Sequence, residues 1–200
     1  MDKKLKVDNI EFIVETLRNV DYGTLALSDI SNQPYSVPVN FVLIHKEIYF
    51  HGGKRGRKMS ILKTNPKASF SIVEPYSIIP SYFSSKDELA CPVSHFFKSV
   101  IIDGKLEFVT DYNEKILALS GLMEKLQPEG KYKSMSQEVY NKAINATTIY
   151  KLIPTDIGVK FNFGQYMSKE RIMMVIEHLE KRSEKKDVET VELIKQYNSL

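Results

Sequence analysis

Tyr49-Phe50-His51-Gly52-Gly53-Lys54-Arg55-Gly56-Arg57-Lys58-Met59 is an apolar run that stops at glycines and passes through four cations into Ile61-Leu62. The pattern predicts a strand, a tight turn and a short helix. Such a turn can hold a phosphate, because glycine lets the backbone approach a ligand, the first amides of a helix lack intrahelical partners, and the helix dipole adds partial positive charge. A solvated basic loop is the competing reading, and taken alone the charge run favours the loop. Gly52, Gly53 and Gly56 do not make G-x-G-x-x-G and no G-K-[ST] follows, which argues against a Rossmann dehydrogenase and a P-loop enzyme. Lys58 falls three and four residues before Ile61 and Leu62, so it shares their helical face and calls for an anion; Arg57 lies about 100° around the helix.

Upstream, Asp8 and Glu11 form a capping-box pattern ahead of a helix through Asn19. Tyr22–Ser28 and Tyr35–Ile44 read as a hairpin around the turn residues Asp29–Gln33, with Tyr35, Val37, Val39, Phe41 and Leu43 on one face. Pro38 marks an edge or a bulge and leaves the backbone near Val39 and Asn40 free for a ligand. His45-Lys46 turns into Ile48–His51. Downstream, Lys67–Val73 continues an antiparallel meander, residues 75–96 form a long loop with Pro75, Pro80 and Pro92, and Phe97–Val109 is a long strand with an irregularity at Gly104. A second capping box at Asp111 and Glu114 opens a helix over Tyr112–Gln127, a weaker helix covers Ser136–Ile144, and Thr147–Ile153 is a strand. Pro154-Thr155-Asp156 is a turn before Gly158–Phe161. From Ser168 two charged helices follow, the first with an apolar stripe of Ile172, Met173, Val175, Ile176 and Leu179.

The chain has 200 residues, 42% hydrophobic and 26% charged, which fits one globular domain plus an appendage. The net charge of +3 is mild and its basic clusters, such as Lys3, Lys4 and Lys6, fall near the ends, so no strong nucleic-acid footprint is present. A single cysteine excludes an intrachain disulfide and a cysteine-based zinc site. No apolar run reaches membrane-spanning length or forms a signal-peptide core, and a cytoplasmic protein is expected.

Tyr22-Gly23-Thr24-Leu25-Ala26, Pro34 to Phe41, Ile48 to Gly52 with Gly56-Arg57-Lys58, and Phe97-Lys98-Ser99-Val100-Ile101 occur in an order that resembles the flavin-binding split barrels of the pyridoxamine 5′-phosphate oxidase-like superfamily. The branch most similar is the nitroimidazole-resistance (Nim) proteins, which the place of Cys91 also resembles. The resemblance spans about residues 10 to 160. It implies a mainly β fold, a six-stranded antiparallel split barrel over residues 1–164, followed by a helical appendage over 165–200. It also implies a homodimer with flavin mononucleotide (FMN) between the subunits. Val39 and Asn40 match the strand beside the flavin ring, His51 and Gly52 the end of the next strand, Arg57 and Lys58 the phosphate-holding turn, and Ser99 a polar position on the long strand.

The activity so implied is that of an FMN-dependent oxidoreductase in which a reduced nicotinamide or another cellular electron donor charges the flavin and a small electron-poor substrate such as a nitroaromatic discharges it, with His51 as the candidate catalytic residue. Alternatives are a non-catalytic flavin- or haem-binding module, in which His51 would face the iron, and a pyridoxamine phosphate oxidase, disfavoured by the lack of a clear substrate-phosphate arginine set. Alternation with Phe50 turns His51 away from the core. His45 and His178 read as exposed, His95 as exposed or in a pocket wall, Phe96 and Phe97 as core, and Cys91 as a buried or unreactive thiol.

Overall fold

The computed structural model describes residues 10–200. Asp8, the expected helix cap, and Lys3, Lys4 and Lys6 lie outside the described residues. In chain order the elements are α1 (Ile10–Asn19), β1 (Tyr22–Ser28), β2 (Pro34–Asn40), β3 (Val42–Ile44), β4 (Glu47–Gly52), α2 (Arg57–Leu62), β5 (Lys67–Ile79), β6 (Ser94–Val109), α3 (Tyr112–Leu126), α4 (Asn141–Ala146), β7 (Thr148–Asn162), α5 (Lys169–Arg182) and α6 (Asp187–Asn198). The strands form one seven-stranded sheet in the order β2-β1-β5-β6-β7-β4-β3.

Local chemistry sets the two hairpins. In the first, Asp29 Oδ1 accepts from the amides of Ser31 and Gln33, both at 2.9 Å, and the turn brings Ser28 opposite Pro34 and Tyr22 opposite Asn40. In the second, His45 (φ 49°) and Lys46 (φ 73°) are both left-handed, the two-residue turn whose twist suits antiparallel strands, and Ile44 pairs with Glu47. The expected meander is therefore replaced by two hairpins at opposite ends of the sheet.

The expected strand over Tyr35–Ile44 breaks at Phe41, which is fully buried and packs edge-on against Phe70 at 5.0 Å. The break divides one expected strand between the two edges, giving seven strands where six were expected. Because β2 and β3 are the edge strands and only Phe41 joins them, this part of the sheet has to curl until its margins meet. Pro38 lies on β2, opposite Thr24, and β2 is an edge strand, the place in a sheet where proline is tolerated.

Two further expectations are corrected. β5 runs on to Ile79 and β6 begins at Ser94, so the expected 75–96 loop is confined to residues 80–93, which include a 3-10 turn at Ser81–Phe83 whose Phe83 is buried. β7 runs unbroken through the expected turn at Pro154. Both prolines lie beyond a neighbouring strand: β1 pairs with β5 only as far as Ser71, and β4 pairs with β7 only from Thr148 to Leu152. On that side neither proline removes a ladder bond. β6 likewise continues through Gly104, where an added Cβ would collide with the carbonyl of Ile153; close approach of two backbones, rather than a break, is what this glycine serves. The weak helix becomes a 3-10 turn at Glu138–Tyr140 followed by α4.

The described chain packs as two compact units, with β5, β6 and β7 contributing residues to both. One comprises 10–72 and Val100–Val159. Its core is built from Leu25, Phe41, Ile48, Phe50, Phe70, Val100, Tyr150 and Leu152. A second apolar cluster in the same unit joins Tyr49, Val109, Ala118 and Ile149. Asp111 caps α3 as expected, accepting from the Glu114 amide at 2.7 Å.

The other unit comprises Val73–Ser99 and Lys160–Leu200. Tyr76, Ile79, Phe83, Phe96 and Phe163 pack there against Ile172, Val175, Ile176 and Leu179 of α5 and Val191 and Ile194 of α6. Met173, counted in the stripe from sequence, is 50% exposed. His178, expected to be exposed and either structural or idle, is half-buried and structural, stacked on Phe83 at 4.6 Å. Asp187 is buried and receives a fork of two hydrogen bonds from Arg182, at 2.6 and 2.9 Å, with one more from Ser77 and one from the Glu184 amide. Arg182, helped by Ser77 and that amide and opposed by burial, holds its carboxyl at about 2. Cys91 is exposed rather than buried.

Candidate functional site

The unit of 10–72 and 100–159 carries the glycine-rich basic turn between β4 and α2. β4 delivers Phe50 to the core and His51 to the exposed side, as alternation requires. Across the strand pair Phe50 faces Tyr150, and their rings stack at 5.2 Å and 13°. The Tyr150 hydroxyl then donates to the carbonyl of Gly53 at 3.2 Å, which pins the start of the turn to β7. At Gly56 the backbone takes φ 109°, a conformation that favours glycine, and α2 begins at the next residue.

Lys58 points back from α2 onto this aromatic pair. Its Nζ lies 4.8 Å from the Tyr150 ring centre and 5.1 Å from that of Phe50, within cation–π range. A Cβ built at Gly52 would stand 2.7 Å from that Nζ and 3.1 Å from Tyr150 Cε2. Glycine at 52 is thus what admits the ammonium. Burial lowers the Lys58 pKa below the ordinary lysine value. Among the described residues no carboxylate pairs with it. A half-buried cation over two rings, without a counter-ion, is chemically suited to an incoming anion.

Arg57 takes the other direction. It is exposed, its guanidinium lies 5.0 Å over the Tyr35 ring, and Nη2 donates to the Pro34 carbonyl at 3.4 Å. Val39 is half-buried against the core and Asn40 Nδ2 donates to the Asp21 carbonyl at 3.1 Å, so what β2 offers a ligand is the backbone along its outer edge, which no strand among the described residues flanks. Gly52 and Lys58 come together at the end of β4, while His51 turns to the exposed side of the strand. Ser99 belongs to the other unit, where its hydroxyl donates to the Lys160 carbonyl at 3.1 Å. His95, also there, is exposed with a ring nitrogen 3.2 Å from the Tyr76 carbonyl.

Tyr150, absent from the sequence-level candidates, is the floor of this site. Its place in a strand was readable, but its pairing with Phe50 joins residues a hundred positions apart, and no local signal carries that register. Tyr49, on the opposite face of β4, meets Glu47 at 2.8 Å and Glu114 at 2.9 Å, and Lys151 donates to Glu114 at 2.9 Å. Burial and the two carboxylates raise the Tyr49 pKa far above its ordinary value. This network ties the first turn of α3 to β4 and β7. No group of three or more His, Cys, Asp or Glu able to hold a metal occurs among the described residues, and none of their helices is long and apolar enough to cross a membrane.

Residues 10–161 match the family model described as pyridoxamine 5′-phosphate oxidase. The chain belongs to that family. Its fold is the family's split barrel, here with a helical C-terminal segment. Among solved structures, a candidate 5-nitroimidazole antibiotic resistance protein of Bacteroides thetaiotaomicron is similar at a TM-score of 0.63 and 21% identity, over 76% of this chain and 84% of that one. A flavocytochrome of Azotobacter vinelandii (0.62, 19%, 77% and 67%) and a FAD- and heme-binding protein of Mycobacterium smegmatis (0.62, 19%, 78% and 72%) share the fold. No curated protein matches the sequence.

Proposed function

We propose that this member of the pyridoxamine 5′-phosphate oxidase family binds FMN at the β4–α2 turn and is a flavin-dependent oxidoreductase of the Nim type. The reading rests on one observation above all: the Lys58 ammonium, half-buried over Phe50 and Tyr150, with Gly52 making room for it and no carboxylate neutralising it. Bound there, FMN would supply two-electron and one-electron chemistry. Lys58 would hold its phosphate, Arg57 would sit at the outer rim, and the free edge of β2 at Val39 and Asn40 would bond the polar edge of the ring. His51, exposed at the end of β4, would face the substrate, a small electron-poor compound such as a nitroaromatic. Ser99 is proposed as a further cofactor contact. The similar structures that bind flavin support the cofactor class, and the nitroimidazole-resistance likeness supports the substrate class.

A homodimer sharing the cofactor is part of the proposal. Ile101 on β6 and Ile157 on the adjacent β7 are 48% and 41% exposed, apolar surface of the kind a second copy covers. A haem-binding module is the second reading, favoured by the exposed imidazole of His51 and by the haem-binding likeness. The absorption spectrum of the purified protein separates the two, since flavin gives two visible-region bands and haem a dominant Soret band. Absence of flavin bands, together with failure to take up added FMN, overturns the first reading.

A further inference from the structure

Phe41 is the one residue between β2 and β3, and it directly follows Val39 and Asn40, whose backbone edge is the proposed contact of the flavin ring. Its own ring is held on two sides. Phe70 meets it edge-on at 5.0 Å, and the Nζ of Lys125 stands 3.7 Å from its centre, well inside cation–π range. The same ammonium donates to the Leu17 carbonyl at 2.9 Å, so a side chain at the end of α3 ties the end of α1 to the crossing between β2 and β3. α3 comes close enough because Gly121, one turn before Lys125, faces β3: a Cβ built there would stand 3.2 Å from Ile44 Cδ1 and 3.3 Å from Val42 Cγ2. Asn40 completes the tie, its Nδ2 donating to the Asp21 carbonyl at 3.1 Å.

For stability alone, a cation is a poor choice at this position. Among the described residues no carboxylate pairs with Lys125, and burial lowers its pKa to about 8 against the opposing pull of Asp21. An amine whose folded-state pKa lies below its unfolded value weakens the fold wherever it is charged in both states, which for Lys125 means below about pH 8. Methionine, unbranched and uncharged, would fill the same space without that cost. A charge kept where it weakens the fold points to a task other than stability.

We propose that Lys125 is a positioning residue for the flavin: by gripping the Phe41 ring it fixes the end of β2, and with it the backbone of Val39 and Asn40, in the geometry that bonds the polar edge of the flavin ring. This role rests on the flavin reading above. Lys125 acts on the ring, through Phe41, where Lys58 acts on the phosphate.

The test titrates the full-length protein at pH 7 with riboflavin and with FMN, and measures urea midpoints alongside. Lys125→Met weakens both ligands by the same factor, about three- to tenfold, because ring binding is disturbed and phosphate binding is not. It also moves the visible bands of the bound flavin toward those of free flavin, while its urea midpoint is no lower than that of wild type. Lys125→Gln, which keeps a donor for the Leu17 carbonyl but no charge, weakens both ligands in the same way and separates the cation from the hydrogen bond. Unchanged affinity or unchanged bands in both variants, a loss confined to FMN, or affinity that falls only in step with the urea midpoint overturns the role. Wild-type protein that binds neither ligand shows this before any variant is made, and it overturns the flavin reading itself.

Discussion

Lys58 and Gly52 compete for one volume: the ammonium of the first stands where a side chain on the second would have to go. The glycine is therefore a positioning residue for the lysine, and the two positions form one functional element six residues apart.

Replacing Lys58 with alanine keeps helix propensity and removes the cation. A charge-assisted hydrogen bond of roughly 1.5 to 3 kcal/mol predicts FMN binding weakened about tenfold to a hundredfold, while riboflavin, lacking the phosphate, loses little. Fluorescence titration with both ligands checks this. Equal losses for the two ligands place Lys58 outside the phosphate site.

Gly52→Ala meets the far end of a flexible side chain, so the fold survives and the ammonium is displaced. Its effect on FMN affinity should vanish in a Lys58→Ala background. Additive losses in that double-mutant cycle contradict the shared volume.

Dimer content and flavin occupancy are predicted to fall together on dilution, because the proposed site is shared between two copies that meet over Ile101 and Ile157. Sedimentation with absorbance detection at the flavin bands follows both at once. A monomer retaining stoichiometric FMN counts against the shared site.

In the unit formed by 73–99 and 160–200, Asp187→Asn leaves the Arg182 guanidinium only the exposed Glu184 carboxylate, at 3.6 Å, and breaking a buried pair costs about 3 to 5 kcal/mol. Because the folded-state pKa of Asp187, about 2, lies below its ordinary value of 3.8, its contribution is complete above about pH 4 and fades as pH falls toward 2. Urea midpoints measured down that range should converge for wild type and variant.

Lys125 gives the opposite slope. Its Nζ lies 3.7 Å over the Phe41 ring and donates to the Leu17 carbonyl at 2.9 Å, and burial lowers its pKa to about 8 despite the opposing pull of Asp21. The unfolded chain thus binds more protons than the folded one from about pH 8 up to the ordinary lysine value, so stability rises with pH across that interval. Lys125→Met should remove this rise, measured as the difference in denaturant midpoint between pH 8 and pH 10.

Much of this was legible in the sequence because it is local. The Asp111 cap, the Asp29 turn, the His51 orientation and the basic turn each depend on residues within a few positions of one another. What escaped depends on long-range partners. Pro75 and Pro154 read as strand breakers, and their strands continue because the neighbours on one side have already ended. Phe41 looked like one more inward residue of a single strand; its burial against Phe70 is what splits that strand. Tyr150 became a site residue through a pairing that only the folded sheet supplies.

The single-residue link at Phe41 also bears on how the chain is made. Both hairpins it joins can form early, since their partners are close in sequence, but β4 obtains its second neighbour only from Thr148–Leu152. During synthesis the edge of β4 remains unsatisfied until three-quarters of the polypeptide has emerged. Such distant pairing gives a high contact order and slow closure, with a nascent-chain interval in which an open strand edge invites pairing with other chains.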